Sequence, residues 1–191
     1  MTSSHSIPIQ LRKKIAQSLL RLFGWKVIPH PGKQPEGSII CVAPHTSNYD
    51  FPLGLLYSWA AGFDSGFLMK SDWFFFPLGP IFRALGGIPV NRKERTQTVE
   101  RLQEELRQKG QIHLAITPEG TRSRGEKWKS GFYHIAVAAG LPIELAVIDY
   151  GKKELGIFEV FYPTGDMEQD LATIRSRYDK SQAKYPEQFT P

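Results

Sequence analysis

The feature that most constrains this chain is a repeated change of period. Short apolar, β-leaning runs stand at residues 38–42, 66–70, 88–91, 112–117, 143–150 and 157–162. Between them lie segments of helical spacing. Residues 51–61 read as a helix, and 73–85 as short helical turns broken by Pro77 and Pro80. Residues 94–109 set Val99, Leu102 and Leu106 on one helical face, 131–139 read as a helix, and 167–184 as a polar terminal helix. Strands alternating with helices predict an α/β fold with a central mixed, largely parallel sheet flanked by helices.

Ahead of the first run, residues 8–24 predict an amphipathic helix. Leu11, Ile15, Leu19, Leu22 and Phe23 recur at helical spacing among Arg12, Lys13, Lys14 and Arg21, and Gly24 is a natural stop. The expected organisation is an N-terminal membrane-surface segment, 1–30, followed by one domain, 31–191. A chain of 191 residues fits a single core. The one cysteine, Cys41, excludes an internal disulfide, and a reducing compartment is the simple reading. The N-terminus lacks a signal-peptide pattern, and no uncharged apolar stretch reaches the ~18–20 residues that span a bilayer. A membrane encounter would therefore be peripheral. The net charge of +5 suits nucleic acid, anionic lipid or phosphorylated small molecules equally well.

Chemistry-bearing residues cluster after the apolar runs. The first set is Pro44-His45-Thr46-Ser47-Asn48-Tyr49-Asp50. On one regular helix, His45 and Asp50 would lie about 140° apart. They can meet only if His45 sits on the turn leaving the strand and Asp50 in the first helical turn. Asp50 would then fix one imidazole nitrogen and leave the other as a base. Ser47-x-x-Asp50 also matches a capping box. Taken alone, such a spacing more often marks a surface histidine followed by a helix-capping aspartate. The second set is Thr117-Pro118-Glu119-Gly120-Thr121-Arg122-Ser123-Arg124. Gly120 permits a left-handed turn, and Thr121, Ser123 and local N–H groups are donors. Arg122 offers a fork matched to phosphate oxygens. A solvated turn explains this set as well as an anion cradle does. In the third, Gly86-Gly87-Ile88-Pro89-Val90-Asn91-Arg92, paired glycines imply close backbone approach. Arg92 is there either a phosphate ligand or a surface arginine.

The order and spacing of these sets resembles the lysophosphatidic acid acyltransferase family (1-acylglycerol-3-phosphate acyltransferases and relatives). The family blocks N-H-x-S-x-x-D and F-P-E-G-T-R-S correspond to residues 44–50 and 117–123, and the block ending in arginine to 86–92. An apolar V-P-I-hydrophobic-P-V run is matched loosely by 141–147. The resemblance spans residues 38–150. It implies that His45 deprotonates an acceptor hydroxyl and Asp50 orients it. Arg92, Gly120, Thr121 and Arg122 would hold the acceptor's phosphate with Glu119 in support, and Lys70 would stabilise an oxyanion or bind substrate. The chain departs from the pattern at Pro44, Thr117, Glu144 and Ala146. The last two fall in the block that shapes the substrate pocket, so substrate identity is where they bear.

What the resemblance implies is a peripheral acyltransferase on the cytoplasmic side of the membrane. It would move a fatty acyl group from acyl-CoA or acyl carrier protein to a lysophospholipid, with 1-acylglycerol-3-phosphate giving phosphatidic acid. A thioester is already activated, so neither metal nor cofactor is expected. Membrane lipid and the acyl donor are the expected partners; the basic helix 8–24 and the aromatic run Trp73-Phe74-Phe75-Phe76 either meet the headgroups or pack on the core, the aromatic run as readily one as the other. Another lyso-lipid or an amino-acid lipid remains open as acceptor. An acyl thioesterase is the hydrolytic alternative, though no G-x-S-x-G elbow is present. Nucleic acid is not an expected partner, since no helix-turn-helix, zinc or RNP pattern accompanies the charge.

Overall fold

The structure, a computed structural model, describes residues 8–90, 100, 112–125 and 127–190. The helix expected at 94–109 lies outside the described residues. Among the described ones the element order is α1 (Ile9–Leu22), β1 (Lys26–Val27), β2 (Ser38–Val42), α2 (Asp50–Ala61), β3 (Ser65–Lys70), α3 (Leu78–Ala84), β4 (Gly87–Val90), β5 (His113–Ile116), α4 (Gly131–Ala139), β6 (Ile143–Asp149), β7 (Glu154–Phe161) and α5 (Met167–Arg175).

The strands form one sheet in the order β1-β7-β6-β2-β5-β3-β4. Strands β6, β2, β5, β3 and β4 run parallel, while β7 turns back antiparallel on β6 and carries the short β1 beside it. This is the mixed, largely parallel sheet expected from the alternating pattern. The pair Lys26–Val27 was too short to show a period. Helices cover both faces, so central strands are buried on both sides and read as continuous apolar runs. Ile39, Cys41, Ile143 and Leu145 pack with Phe132, Ile135 and Ala136 of α4 and Ile174 of α5. Ile40, Ala146 and Ile148 pack on the other face with Ala16 and Leu20 of α1 and Tyr57 and Ala60 of α2.

Local chemistry explains the boundaries. Helices α2 and α4 end at Gly62 and Gly140, both left-handed. The paired glycines do permit close approach: a Cβ on Gly86 would lie 2.7 Å from the Ser65 carbonyl oxygen, which L-residues cannot accommodate. The terminal helix is shorter than the expected 167–184. It begins with Asp166 accepting from the Gln169 N–H and ends at Arg175. Tyr178 then turns into the core, its hydroxyl donating to the Cys41 carbonyl, and Asp179 opens a new turn with its own capping box to Gln182.

Helix α1 turns its apolar stripe away from the core. Ala16 and Leu20 face the core, Gln17 donates to the Ala60 carbonyl, and Arg12 pairs with Asp64 at 2.6 Å. Leu11, Ile15, Leu19 and Leu22, the stripe that defined the helix in the sequence, face outward, with Leu22 76% exposed.

Glu144, one of the departures from the family pattern, is fully buried at the amino end of the sheet. Its carboxylate accepts from His30 Nε2 at 2.7 Å and from the Ser38 hydroxyl, which itself lies 2.8 Å from His113 Nδ1. Burial alone raises the pKa of this acid, but hydrogen bonds from His113, Ser38 and His30 outweigh it, and the net shift is downward. A depressed folded-state pKa contributes stability above the ordinary carboxylate value, and that stability is lost as pH falls through the folded value. Glu144→Ala is therefore expected to cost about 3 kcal/mol at pH 7 by stranding its donors. Glu144→Gln should lose less stability than wild type between pH 7 and pH 4. Urea unfolding at both pH values checks this, and equal losses would refute it.

Candidate active site

Parallel strands leave the sheet on the same edge, and open α/β sheets bind ligands outside the carboxyl ends of their strands. In β2 and β5, Cys41 lies level with Ile116, and in β3 and β5, Phe67 lies level with Ala115. Lys70 at the end of β3 pairs with Val90 at the end of β4. The loops bearing His45, Glu119 and Lys70 therefore open on one edge. Arg92 lies outside the described residues.

Between β2 and α2 the chain wraps around one carboxylate. Asp50 Oδ2 accepts from His45 Nδ1 at 3.0 Å, from the Thr46 N–H at 3.1 Å and from the Ser47 N–H at 2.9 Å. Because a carboxylate only accepts, Nδ1 carries the imidazole proton and Nε2 is left with its lone pair. His45 thus sits on the turn and Asp50 at the first position of α2, the one arrangement in which they can meet. The capping box expected at Ser47 does not form, since α2 starts after Tyr49. Asp50 reaches back to the Ser47 N–H, but the Ser47 hydroxyl accepts from the Tyr49 N–H at 3.1 Å rather than from Asp50. The start of α2 adds favourable dipole to the carboxylate.

Glu119 joins the second motif to the first. It is buried, and its Oε1 accepts from the His45 backbone N–H at 2.6 Å. Burial, with Asp50 nearby, pushes its pKa up to about 8 despite that hydrogen bond. Near neutral pH it is mostly protonated. Glu119 therefore holds the His45 backbone, a role its place in a phosphate motif did not reveal.

The remaining predicted residues are placed less tightly. Gly120 adopts the expected left-handed turn at φ +65°, with its N–H bonded to the Thr117 carbonyl. The Ser123 N–H turns to the Thr121 hydroxyl at 3.3 Å. Arg122 and Arg124 are both exposed on this loop. Lys70 is exposed at the end of β3 and ion-paired with Asp72.

Tyr150 was not foreseen. It follows β6, and its hydroxyl donates to Asp50 Oδ1 at 2.6 Å. No local spacing could connect residues so far apart in sequence. The C-terminal segment also reaches the site: the Tyr185 N–H lies 3.3 Å from Thr46 Oγ1, and the Lys184 ammonium stands over the ring of Tyr49 at 3.7 Å. Among the described residues, no group of three or more His, Cys, Asp or Glu could hold a metal ion.

A strand-end histidine clamped by an aspartate, with a glutamate–glycine–threonine–arginine turn behind it, is the arrangement of a candidate general base beside a cationic loop. The Acyltransferase family model matches residues 24–148, and the chain belongs to that family. The 1-acyl-sn-glycerol-3-phosphate acyltransferase of Escherichia coli (strain K12) is 32% identical over 133 residues, 65% of this chain and 53% of that protein. The protein of the same name from Haemophilus influenzae is 31% identical over 134 residues, 65% and 54% of the two chains. The chain spans about half the length of the curated relatives it matches. The crystal structure of the 1-acyl-sn-glycerophosphate (LPA) acyltransferase PlsC from Thermotoga maritima shares the fold, with a TM-score of 0.62 at 21% identity over 88% of this chain and 76% of that one.

Glu119 has a measurable signature. Its folded-state pKa lies above the ordinary carboxylate value, so its contribution to stability is full below that value and is lost as pH rises from about 4.5 to about 8. Glu119→Gln keeps an acceptor for the His45 N–H but cannot ionise. Its melting temperature should rise relative to wild type between pH 5 and pH 8.5. Parallel melting curves for the two proteins would rule the assignment out.

Proposed function

We propose that this chain transfers a fatty acyl group from a thioester, acyl-CoA or acyl-ACP, to the hydroxyl of a lysophospholipid, with 1-acylglycerol-3-phosphate as acceptor and phosphatidic acid as product. The observation that carries the reading is the His45 imidazole, fixed by Asp50 at Nδ1 and, among the described residues, without a hydrogen-bond partner at Nε2. An alcohol is a weak nucleophile at neutral pH. His45 Nε2 takes its proton as the oxygen attacks the thioester carbon. The new C–O bond forms, the C–S bond breaks, and the thiolate leaves with the proton returned by the imidazolium. The thioester is activated already, so the reading includes neither metal nor cofactor.

Arg122, with Thr121, Gly120 and Arg92, is assigned to the acceptor phosphate. Anchoring one end of a lipid headgroup holds its hydroxyl beside the base and lowers the entropic barrier. Glu119 supports this arrangement by holding the His45 backbone against the same turn. Lys70 is assigned to the oxyanion or the donor, for which it would exchange its pairing with Asp72. The names of the relatives support the choice of acceptor. The chemistry of the site does not separate the two donors, since both are anionic and suit the net charge of +5.

Acceptor and product are bilayer lipids, so the reading includes a peripheral position on the cytoplasmic face of a membrane. The outward apolar stripe of α1 supports it, as do Trp73, Phe75 and Phe76, the last 86% exposed. No described helix is long and apolar enough to cross a membrane.

Two measurements test the reading. His45→Ala should lower turnover by about 10²–10⁴-fold while leaving acceptor binding nearly intact, as read by mass spectrometry of products and by equilibrium binding. Full activity would end the assignment. Replacing Leu11, Ile15, Leu19 and Leu22 together by Ser should abolish cosedimentation with anionic liposomes and leave the melting temperature almost unchanged, because these side chains are already exposed. Undiminished sedimentation would remove the membrane part.

A further inference from the structure

The carboxylate that orients His45 is itself held from outside the family-matched region. Asp50 Oδ2 is occupied by His45, Thr46 and Ser47, while Oδ1 accepts from the Tyr150 hydroxyl at 2.6 Å. Tyr150 lies beyond residue 148, where the family match ends. We infer that Tyr150 is a positioning residue of this site: its hydroxyl fixes the rotation of the Asp50 carboxylate and withdraws charge from it, which sets the basicity of His45.

The ring is built to hold that hydroxyl in place. Trp25 meets it edge-on at 5.2 Å between centroids. The Lys184 ammonium stands 5.8 Å from its centroid on the C-terminal segment. The Tyr150 N–H donates to the Gln182 carbonyl at 2.9 Å, tying the turn after β6 to the same segment. The hydroxyl is the only donor to Oδ1 among the described hydrogen bonds. A carboxylate with one oxygen bound three times and the other unbound would place more charge on its outer oxygen and could rotate. With Tyr150 in place, both oxygens are held.

The electrostatic consequence has a sign. A hydrogen bond to the carboxylate disperses its charge, so less of it stabilises the imidazolium. Without the hydroxyl, the imidazolium is favoured, and His45 becomes competent as a base only at higher pH. The other titratable or charged groups facing the pair are Glu119 from the loop after β5, Tyr49 from the β2–α2 loop, and Lys184 and Tyr185 from the C-terminal segment.

Tyr150→Phe in the full chain removes one oxygen and keeps the ring. The first readout needs no substrate: the imidazole titration of His45 by NMR in 15N-histidine-labelled protein, assigned with His45→Gln. The midpoint should move upward in Tyr150→Phe, and the movement should persist in a Glu119→Gln background. It should vanish with Asp50→Asn, because the effect runs through that carboxylate. The second readout rests on the acyl-transfer reading above. With acyl-CoA and 1-acylglycerol-3-phosphate, kcat should fall about tenfold, as expected for loss of a hydrogen bond to a charged group, with KM unchanged and the acid limb displaced to higher pH. A shifted midpoint in a protein that transfers no acyl group would sink the proposed function and leave the role of Tyr150 standing. An unmoved midpoint, or a shift that survives in Asp50→Asn, would overturn the inference whatever the activity.

Discussion

Everything at the site follows from the parallel register of β2, β5 and β3. Because Cys41 lies level with Ile116, and Phe67 with Ala115, the loops that leave these strands emerge side by side. Residues 45 and 119 are far apart in the chain, yet they come within 2.6 Å without any special device beyond strand pairing. An antiparallel arrangement of the same strands would send alternate loops to opposite edges. The order β6-β2-β5-β3-β4 therefore matters more than any single contact, and the apolar residues buried on both faces of β2 and β6 maintain it.

On that edge, one carboxylate organises the rest. Asp50 accepts hydrogen bonds from His45 Nδ1–H, two backbone N–H groups and a tyrosine hydroxyl. Each of these donors would otherwise be a buried or half-buried polar group needing a partner, and leaving one unmet costs about 1–3 kcal/mol. The same bonds that close the turn therefore choose the tautomer of His45. Structure and chemistry are not separate demands here, since a loop that folds correctly has already fixed His45. Glu119 applies the same logic from the other side. Burial keeps it mostly protonated near neutral pH, so it can hold the His45 backbone without setting a second full negative charge beside Asp50.

The sequence disclosed what depends on local pattern. The strand runs, the split of residues 73–85 into short turns, the left-handed Gly120 and the meeting of His45 with Asp50 all rest on spacing a few residues long. Distant partnerships were hidden. Nothing near Glu144 signals that His30, Ser38 and His113 converge on it, because they come from a loop and two strand ends joined only by the sheet. As a departure from a pocket-forming block, Glu144 seemed to bear on substrate identity. Its bonds lie at the amino end of β2, about 13 Å of strand away from the exit toward His45, at 3.3 Å per residue. Its immediate role is in the fold. The terminal helix was overextended because a polar helical period ran on through Tyr178, whose burial against Trp128 and Phe158 breaks it. The Asp179–Gln182 capping box was a visible stop signal that the period overrode.

Helix α1 illustrates a different limit. Periodicity identified its apolar stripe but could not say which side that stripe faced. The core takes the narrow face of Ala16 and Leu20, where the small alanine allows close approach to α2. A helix of this length is marginal in water on its own, and burying Leu20 contributes about 1.5–3 kcal/mol toward holding it. The wider stripe remains outside. In the interfacial reading, placing the exposed parts of Leu11, Ile15, Leu19 and Leu22 among acyl chains recovers about half that amount per side chain, because each is only 37–76% exposed. Exposed Lys14 and Arg21 add about 1 kcal/mol apiece near an anionic surface. That sum is comparable to the marginal hold of a single myristoyl chain and falls well short of irreversible insertion. A hold of that size is consistent with the proposed reading, in which the chain stays near a lipid acceptor and still meets a thioester donor.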